Sequence, residues 1–320
     1  MKAPGTPLRV AGFVAGLLAV FGLALGVGRL VGPLDVATAE PGHDMAGDAM
    51  ADTGAAHPAG ALQAEEGGYS LTLAEPTLSP GRQRLGLTVT GPDGEPVTSY
   101  DVVHDKRLHL VVVRRDLTGF QHVHPRLDPA TGEWTTDVRL SPGVWRVIAD
   151  FTPTGGEPLT LGQDLSVAGD FAPQGLGPER RTATVDGYTV TLAGDLAAGT
   201  EARLVLTVTR GGRPVTDLQP YLGAYGHLVA LRAGDLGYLH VHPDGESGEV
   251  PAGPDVVFHA EVPGTGSYRL FLDFRHGGAV HTAPFTVHVS DGSAGSAGSA
   301  GSAGSAGSAG SAGEEAGHGH

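Results

Sequence analysis

The sequence contains one segment twice, in copies about 118 residues apart. Arg84–Thr90 (RLGLTVT) corresponds to Arg203–Thr209 (RLVLTVT), and Gly94–Thr98 (GEPVT) corresponds to Gly212–Thr216 (GRPVT). A period of this length indicates duplicated domains, because solenoid repeats have periods of about 20–50 residues. The chain is therefore predicted to contain two copies of one fold.

Each copy has the pattern of a small β-domain. The first contains about seven apolar strand-like runs, separated by turn clusters at Gly91–Gly94, Asp128–Gly132 and Ser141–Gly143. That density of short strands is typical of an immunoglobulin-like β-sandwich. With 52 glycines and few aromatic residues, the composition also fits an all-β protein. We predict two tandem immunoglobulin-like β-sandwich domains, at residues 67–168 and 181–290, joined by a linker at 169–180.

Residues 1–39 have the features of an export segment. An uncharged apolar stretch of 19 residues, Val10–Gly28, follows Lys2 and Arg9. It is long enough to span a bilayer as a helix. Two interpretations stay open: an uncleaved membrane anchor with its N-terminus inside, or a signal peptide cleaved after Ala37–Ala39. Both export the rest of the chain, to the outer face of the cytoplasmic membrane or as a secreted protein.

Two segments without periodic apolar pattern flank the sandwiches. Residues 40–66 are predicted to be a disordered tether, and residues 291–320 a flexible Gly-Ser-Ala linker with a histidine tail. The tether is either a polar spacer or an additional copper-binding segment, since imidazole and thioether are copper ligands. Its candidate ligands are His43, Asp44, Met45, Asp48, Met50 and His57.

A histidine-containing hairpin occurs in both copies. Lys106–Pro125 and Ala224–Pro243 each have two apolar runs around a break, and a histidine thirteen residues before a His-Val-His-Pro ending. Alternate residues of a strand share a face, so both histidines of His-Val-His point the same way. If the first histidine pairs with either of them, three imidazoles converge. The candidate metal ligands are His109, His122 and His124 in the first domain, and His227, His240 and His242 in the second.

Three converging imidazoles suit Cu(II) or Zn(II), with one ion expected in each domain. In the alternative interpretation the histidines only support the fold, because His109 shares its strand face with the apolar Val111. Metal binding is favoured, since both domains keep all three histidines at one offset of 118 residues although their loops differ. His276 and His281 are further candidates that would enlarge the second site. His104 is interpreted as a surface residue.

Composition and missing motifs disfavour several functional classes. The chain has no cysteine, which excludes disulfides, thiolate metal sites and cysteine nucleophiles. A net charge of −15 argues against a nucleic-acid partner. The sequence lacks the Gly-x-Ser-x-Gly, His-Glu-x-x-His, phosphate-loop and dinucleotide motifs. We therefore expect a protein that is not an enzyme. The competing reading, a metal-dependent hydrolase, would require a carboxylate base beside the ion.

The chain resembles the bacterial extracytoplasmic β-sandwich proteins of copper and heavy-metal handling, including the copper-resistance periplasmic type. The resemblance rests on exported β-sandwich domains with His-Val-His pairs, at His122–His124 and His240–His242, and on the His/Met/Asp-containing tether that precedes them. That resemblance implies copper buffering or delivery without catalysis, and a metal-transport partner whose identity stays open. The copper-resistance type uses an amino-terminal histidine as a ligand, whereas cleavage here would expose Glu40. The expected function is exported metal binding, with a structural or adhesive surface module as the alternative.

Overall fold

A computed structural model describes residues 60–239 and 241–289, which form strands and turns. The predicted all-β class and the two tandem sandwiches are confirmed. Within this part of the chain there is no helix that could cross a bilayer. The predicted export helix, residues 40–59 of the tether and the tail from residue 290 onward lie outside the described residues.

Ten strands form the first sandwich. They are β1 (Glu65–Glu66), β2 (Tyr69–Leu73), β3 (Thr77–Leu78), β4 (Gly81–Thr90), β5 (Leu108–Arg114), β6 (Gln121–Val123), β7 (Arg126–Leu127), β8 (Glu133–Leu140), β9 (Gly143–Phe151) and β10 (Leu159–Val167). Two five-stranded sheets result, in the orders β1-β2-β4-β8-β7 and β3-β10-β9-β5-β6. In β4, Leu85, Leu87 and Val89 are buried and alternate with half-buried residues, as expected for a strand with one core face.

The second sandwich repeats this arrangement. Its strands are β11 (Thr182–Val185), β12 (Tyr188–Ala193), β13 (Glu201–Arg210), β14 (Arg213–Pro214), β15 (His227–Arg232), β16 (Tyr238–Leu239), β17 (Val241–Pro243), β18 (Asp255–Glu261), β19 (Gly266–His276) and β20 (Ala279–Val289). One sheet has the order β11-β12-β13-β18-β17, with β14 paired to β13, and the other has the order β16-β15-β19-β20. Strands β15, β16 and β19 therefore occupy the places that β5, β6 and β9 have in the first sandwich.

Each sandwich has its own core, and a third apolar cluster joins the two. Both sandwiches belong to one compact unit of the chain. Val111 and Ile148 of the first sandwich pack against Val229 and Phe271 of the second. Burial of each such side chain stabilises the fold by about 1.5–3 kcal/mol. The cluster therefore fixes the outer face of β5 against the outer face of β15, which places the first histidines of the two hairpins near each other.

The folded part of the chain begins before the predicted boundary at residue 67. The Gly60 amide donates a hydrogen bond of 2.9 Å to the Tyr238 carbonyl, and the Ala61 amide donates one of 2.7 Å to the Thr160 carbonyl. Residues 60–66, which composition assigns to the tether, thus contact both sandwiches. Backbone hydrogen bonds hold this segment in place. Such bonds do not require a pattern of apolar side chains, so the sequence shows no periodicity here.

Candidate metal centre

The first hairpin places its histidines on the face that points away from its own core. Leu110 and Val112 of β5 enter the core of the first sandwich, whereas His109 and Val111 lie on the opposite face. Val111 of β5 pairs with His122 of β6. Continuing that register past Val123 brings His109 opposite His124, which is one of the two predicted pairings. The three histidines of the first hairpin therefore share one face.

A carboxylate fixes the loop that sets this register. Asp116 accepts hydrogen bonds from the Arg114 guanidinium at 3.0 and 2.9 Å and from the Thr118 amide at 3.2 Å. In the second hairpin Asp235 accepts equivalent bonds from Arg232 and from the Gly237 amide at 3.0 Å. Both loops thus bind the arginine that ends the preceding strand, and this interaction holds the turn at the predicted position.

Two imidazole nitrogens of the first hairpin lie close to His109 Nδ1. The distance from His109 Nδ1 to His122 Nε2 is 3.2 Å, and from His109 Nδ1 to His124 Nε2 it is 3.3 Å. A tetrahedral ion with metal–nitrogen bonds of about 2.0–2.1 Å separates its nitrogen ligands by about 3.3–3.4 Å. Each of the two separations from His109 Nδ1 therefore matches one edge of a tetrahedral imidazole site.

The outward-facing ring nitrogens determine which atoms point at this centre. His109 Nε2–H donates to the Val103 carbonyl at 3.0 Å, and His122 Nδ1–H donates to Asp273 Oδ2 at 2.9 Å. In these neutral tautomers His109 Nδ1 and His122 Nε2 present lone pairs to each other. Two facing lone pairs repel each other unless a cation or a proton lies between them. The arrangement can therefore hold either a shared proton or a cation at this position.

The second sandwich contributes a fourth imidazole. The His227 ring lies parallel to the His109 ring, with centroids 5.4 Å apart and an interplanar angle of 4°, and 4.8 Å from that of His122. One nitrogen from each of these three rings lies within 4.8 Å of the others. His227 Nε2 is buried and has no hydrogen-bond partner within residues 60–239 and 241–289. A buried nitrogen without a partner is costly, and a metal ion would satisfy it.

Asp273 of the second sandwich supports His122 of the first. The carboxylate is 2% exposed, and its second oxygen accepts a hydrogen bond of 2.5 Å from Thr282 Oγ1. A carboxylate that accepts the distal N–H of a metal-binding histidine fixes the ring and raises its basicity. Asp273 can therefore act as the outer partner of an imidazole ligand.

Burial favours the neutral, metal-binding form of three histidines, His109, His124 and His227. It lowers the pKa of His109 to about 4, opposed by the Val103 carbonyl and reinforced by the nearby His122. Burial, followed by the proximity of His122 and His109, lowers the pKa of His124 to about 3. The pKa of His227 lies well below its ordinary value for the same reasons. A neutral imidazole is the form that ligates metal.

A fifth histidine lies against the cluster from a strained turn. The ring of His104 is 6.1 Å from that of His109 and 5.8 Å from that of His227. His104 and Asp105 both have positive φ, 47° and 63°, in a tight turn closed by two hydrogen bonds between Val103 and Lys106. His104, interpreted from the sequence as a surface residue, is half-buried and lies against the cluster.

The remaining candidates are placed differently. His242 is exposed and pairs with His259 across β17 and β18. His276 bonds to Tyr188 and Asp217, and His281 bonds to Asp186. His240 lies outside the described residues. The structure thus groups His227 with His109 and His122 of the first domain. The expected separate trio of the second domain includes His240 and stays a prediction.

Sequence reasoning missed two contributors, His104 and Asp273. Asp273 had a detectable signal, because both repeats carry an Asp-Phe pair at equivalent places, Asp150–Phe151 and Asp273–Phe274. These aspartates pair directly with the first histidine of each hairpin, His109 with Asp150 and His227 with Asp273. His104 has no equivalent histidine in the second repeat, so nothing in the sequence distinguished it from an ordinary loop residue.

Together these features define an all-β protein of two tandem immunoglobulin-like sandwiches with a histidine cluster at their contact. The chain belongs to the family described as domain of unknown function (DUF8832), whose profile matches it twice, at residues 63–169 and 183–291. The two matches coincide with the two sandwiches. No curated protein matches the sequence.

Several solved structures align with about 70% of this chain. The adhesin InvE of Yersinia pseudotuberculosis is 12% identical, with 68% of this chain and 58% of that chain covered and a TM-score of 0.20. An Escherichia coli alpha-2-macroglobulin is 16% identical, with 70% and 20% covered and a TM-score of 0.24. The human desmocollin-1 ectodomain is 13% identical, with 71% and 38% covered and a TM-score of 0.20. This chain therefore spans only part of each of these solved proteins.

Proposed function

We propose that this protein binds one copper or zinc ion between its two sandwiches and serves in metal sequestration or delivery. The observation that carries this proposal is the convergence of His109, His122 and His227, one nitrogen of each lying within 4.8 Å of the others, with His124 Nε2 at 3.3 Å from His109 Nδ1. His109 Nδ1 and His122 Nε2, 3.2 Å apart, share either a proton or a cation. A metal ion accounts for this pair and also for the buried Nε2 of His227, which has no hydrogen-bond partner in the described part of the chain and would ligate from the opposite sandwich.

The choice of metal follows from the ligand type. Neutral imidazoles bind Cu(II) and Zn(II), and the affinity order places copper above zinc. The cluster offers no thiolate, because the chain has no cysteine. Val103 and Asp273 hold the outer nitrogens of His109 and His122, so these rings need little reorganisation to receive an ion.

Export and membrane anchorage belong to the same proposal. The 19-residue apolar stretch Val10–Gly28 supports a location on the outer face of the cytoplasmic membrane, or secretion if the segment is cleaved. A metal ion there would be taken from the extracytoplasmic fluid or passed to a transport partner. Catalysis is not part of the proposal.

The second candidate function is a structural or adhesive surface module. One observation favours it: the hydrogen bond between His122 and Asp273 joins the two sandwiches, and both side chains are almost fully buried. In this case the imidazoles pack and hydrogen bond at the domain contact, and no ion is required. The protein would then act as a rigid spacer.

Metal analysis of the purified full chain, followed by titration with Cu(II) and Zn(II), separates the two functions. His109, His122 and His124 are changed together to glutamine, and a control variant carries His276→Gln and His281→Gln. Metal binding predicts one tight equivalent that the triple variant loses and the control retains. Equal metal content in all three proteins would support the structural role.

A further inference from the structure

Two cavities meet at His104. The inner cavity, about 90 Å³, is lined by His109 and His227 of the cluster. The outer cavity, about 360 Å³, is lined by His242 and Glu246 of the second sandwich. His104 is the histidine that lines both cavities. His104 therefore lies between the histidine cluster and the outer cavity.

The two cavities differ in size, because the outer one, at about 360 Å³, is about four times as large as the inner one, at about 90 Å³. The outer cavity therefore has room for more of the water bound to an ion. A metal ion that enters the cluster must exchange water for imidazole ligands on the way. An imidazole at this position can replace a departing water ligand.

Charge favours the outer cavity as the place where a cation arrives. Asp105 and Glu246 line it, and its described lining contains no lysine or arginine. Lys106 and Arg107 line the inner cavity, together with Asp150. A cation is thus attracted to the outer opening and disfavoured at the solvent side of the inner one.

The turn around His104 holds the imidazole between the two cavities. His104 has a φ of 47° and Asp105 a φ of 63°, a conformation that costs free energy for residues other than glycine. The Val103 carbonyl accepts hydrogen bonds from both the Lys106 amide and His109 Nε2–H. The turn therefore shares a hydrogen-bond acceptor with His109, a ligand of the candidate centre. The positive φ values of the turn fix the orientation of His104.

We propose that the outer cavity is a loading site for a hydrated divalent cation and that His104 transfers the ion from it to the cluster. This inference rests on the proposed metal-binding function. In the transfer, His104 replaces a water ligand of the ion, and His109 and His227 then displace further water as the ion enters the cluster. Asp105, Glu246 and His242 hold the ion before transfer.

Stopped-flow loading of Cu(II) into the full chain, first stripped with a chelator, tests the proposal. His104→Asn removes the imidazole and keeps a residue that tolerates positive φ. His288→Asn is the matched control, because His288 bonds to Ser267 and lines neither cavity. We expect the His104 variant to load several-fold more slowly than wild type and to reach the same bound copper, with the control unchanged.

A second variant tests the charges of the outer cavity. Asp105→Asn combined with Glu246→Gln should slow loading by about tenfold at low salt and reduce its dependence on ionic strength. An unchanged loading rate in His104→Asn overturns the transfer role. Loss of bound copper at equilibrium also overturns it, because His104 would then be a resident ligand. Failure of metal binding itself is recognised separately, since wild type and the triple glutamine variant would then hold equal copper.

Discussion

The imidazole of His122 in the first sandwich donates a hydrogen bond of 2.9 Å to the carboxylate of Asp273 in the second. Their side chains are only 1% and 3% exposed. The bond therefore links the contact between the sandwiches to the geometry of the candidate centre. A change in how the sandwiches pack must alter the position of a ligand, and metal at the cluster must in turn stabilise the packing.

Asp273→Asn is expected to weaken metal binding by about 10–100-fold, because the amide supports the His122 ring less well than a carboxylate does. Competition titration with a chelator of known affinity measures the change. Asp217→Asn is the control, since Asp217 also bonds to a histidine, His276, outside the cluster. Equal affinity in wild type and Asp273→Asn would contradict the assigned role of Asp273.

His227→Gln tests whether the second sandwich supplies a ligand. A ligand at 100 times its Kd stabilises a folded protein by about 2.7 kcal/mol, and every tenfold loss of affinity removes about 1.4 kcal/mol of this. The metal-induced rise in Tm should therefore shrink in His227→Gln. The control is His259→Gln, on strand β18, which should keep the full metal-induced rise in Tm. If both variants respond to Zn(II) like wild type, His227 does not ligate the ion.

Phe120→Ala is expected to lower the free energy of unfolding by about 2 kcal/mol, through lost burial and lost aromatic stacking. The Phe120 ring stacks on Phe271 of the other sandwich with centroids 3.9 Å apart. Urea unfolding measures the loss. Phe171→Ala is the control, because Phe171 is 39% exposed and should cost much less. Equal effects of the two changes would argue against a stabilising contact between the sandwiches.

Asp116→Asn is expected to reduce stability at neutral pH and to make little difference in acid. Burial alone would raise the pKa of Asp116, but hydrogen bonds from Arg114 and Thr118 outweigh it and lower the pKa to about 2. A carboxylate with a depressed folded pKa stabilises the fold above its ordinary pKa, and this contribution disappears as pH falls from about 4 to about 2. The difference between wild type and variant should thus be about 2 kcal/mol at pH 7 and should close near pH 2.

Urea unfolding of both proteins across this pH range measures the effect. Asp137→Asn, which removes an exposed partner of Arg82, is the control and should change stability little at either pH. A gap that persists undiminished at pH 2 would show that Asp116 acts through packing rather than charge.

The sequence was informative wherever a local pattern determines the structure. Strand alternation and the shared offset predicted that His109, His122 and His124 share a face. The loss of apolar character around Asp116 predicted the position of the hairpin turn. The duplicated Arg84–Thr90 and Arg203–Thr209 segments predicted two copies of one sandwich. These features depend on neighbours along the chain or on a partner strand in the same hairpin.

The grouping of His227 with the first trio was not predictable in this way. It depends on the outer faces of β5 and β15 packing together, and Val111 and Val229 look from the sequence like ordinary strand residues. His104 was missed for the same reason, because it approaches the cluster only after a turn with positive φ has formed. Packing between domains leaves no periodic signal in either of them.

The parallel rings of His109 and His227 occupy equivalent positions in the two copies. A face that meets its own duplicate in this manner is self-complementary, as in two-fold symmetric dimers. The same opposition of imidazoles would arise if two separate copies of one domain met through that face. Fusion into one polypeptide makes this pairing independent of concentration. It also lets the halves diverge, so that only one of them carries His104.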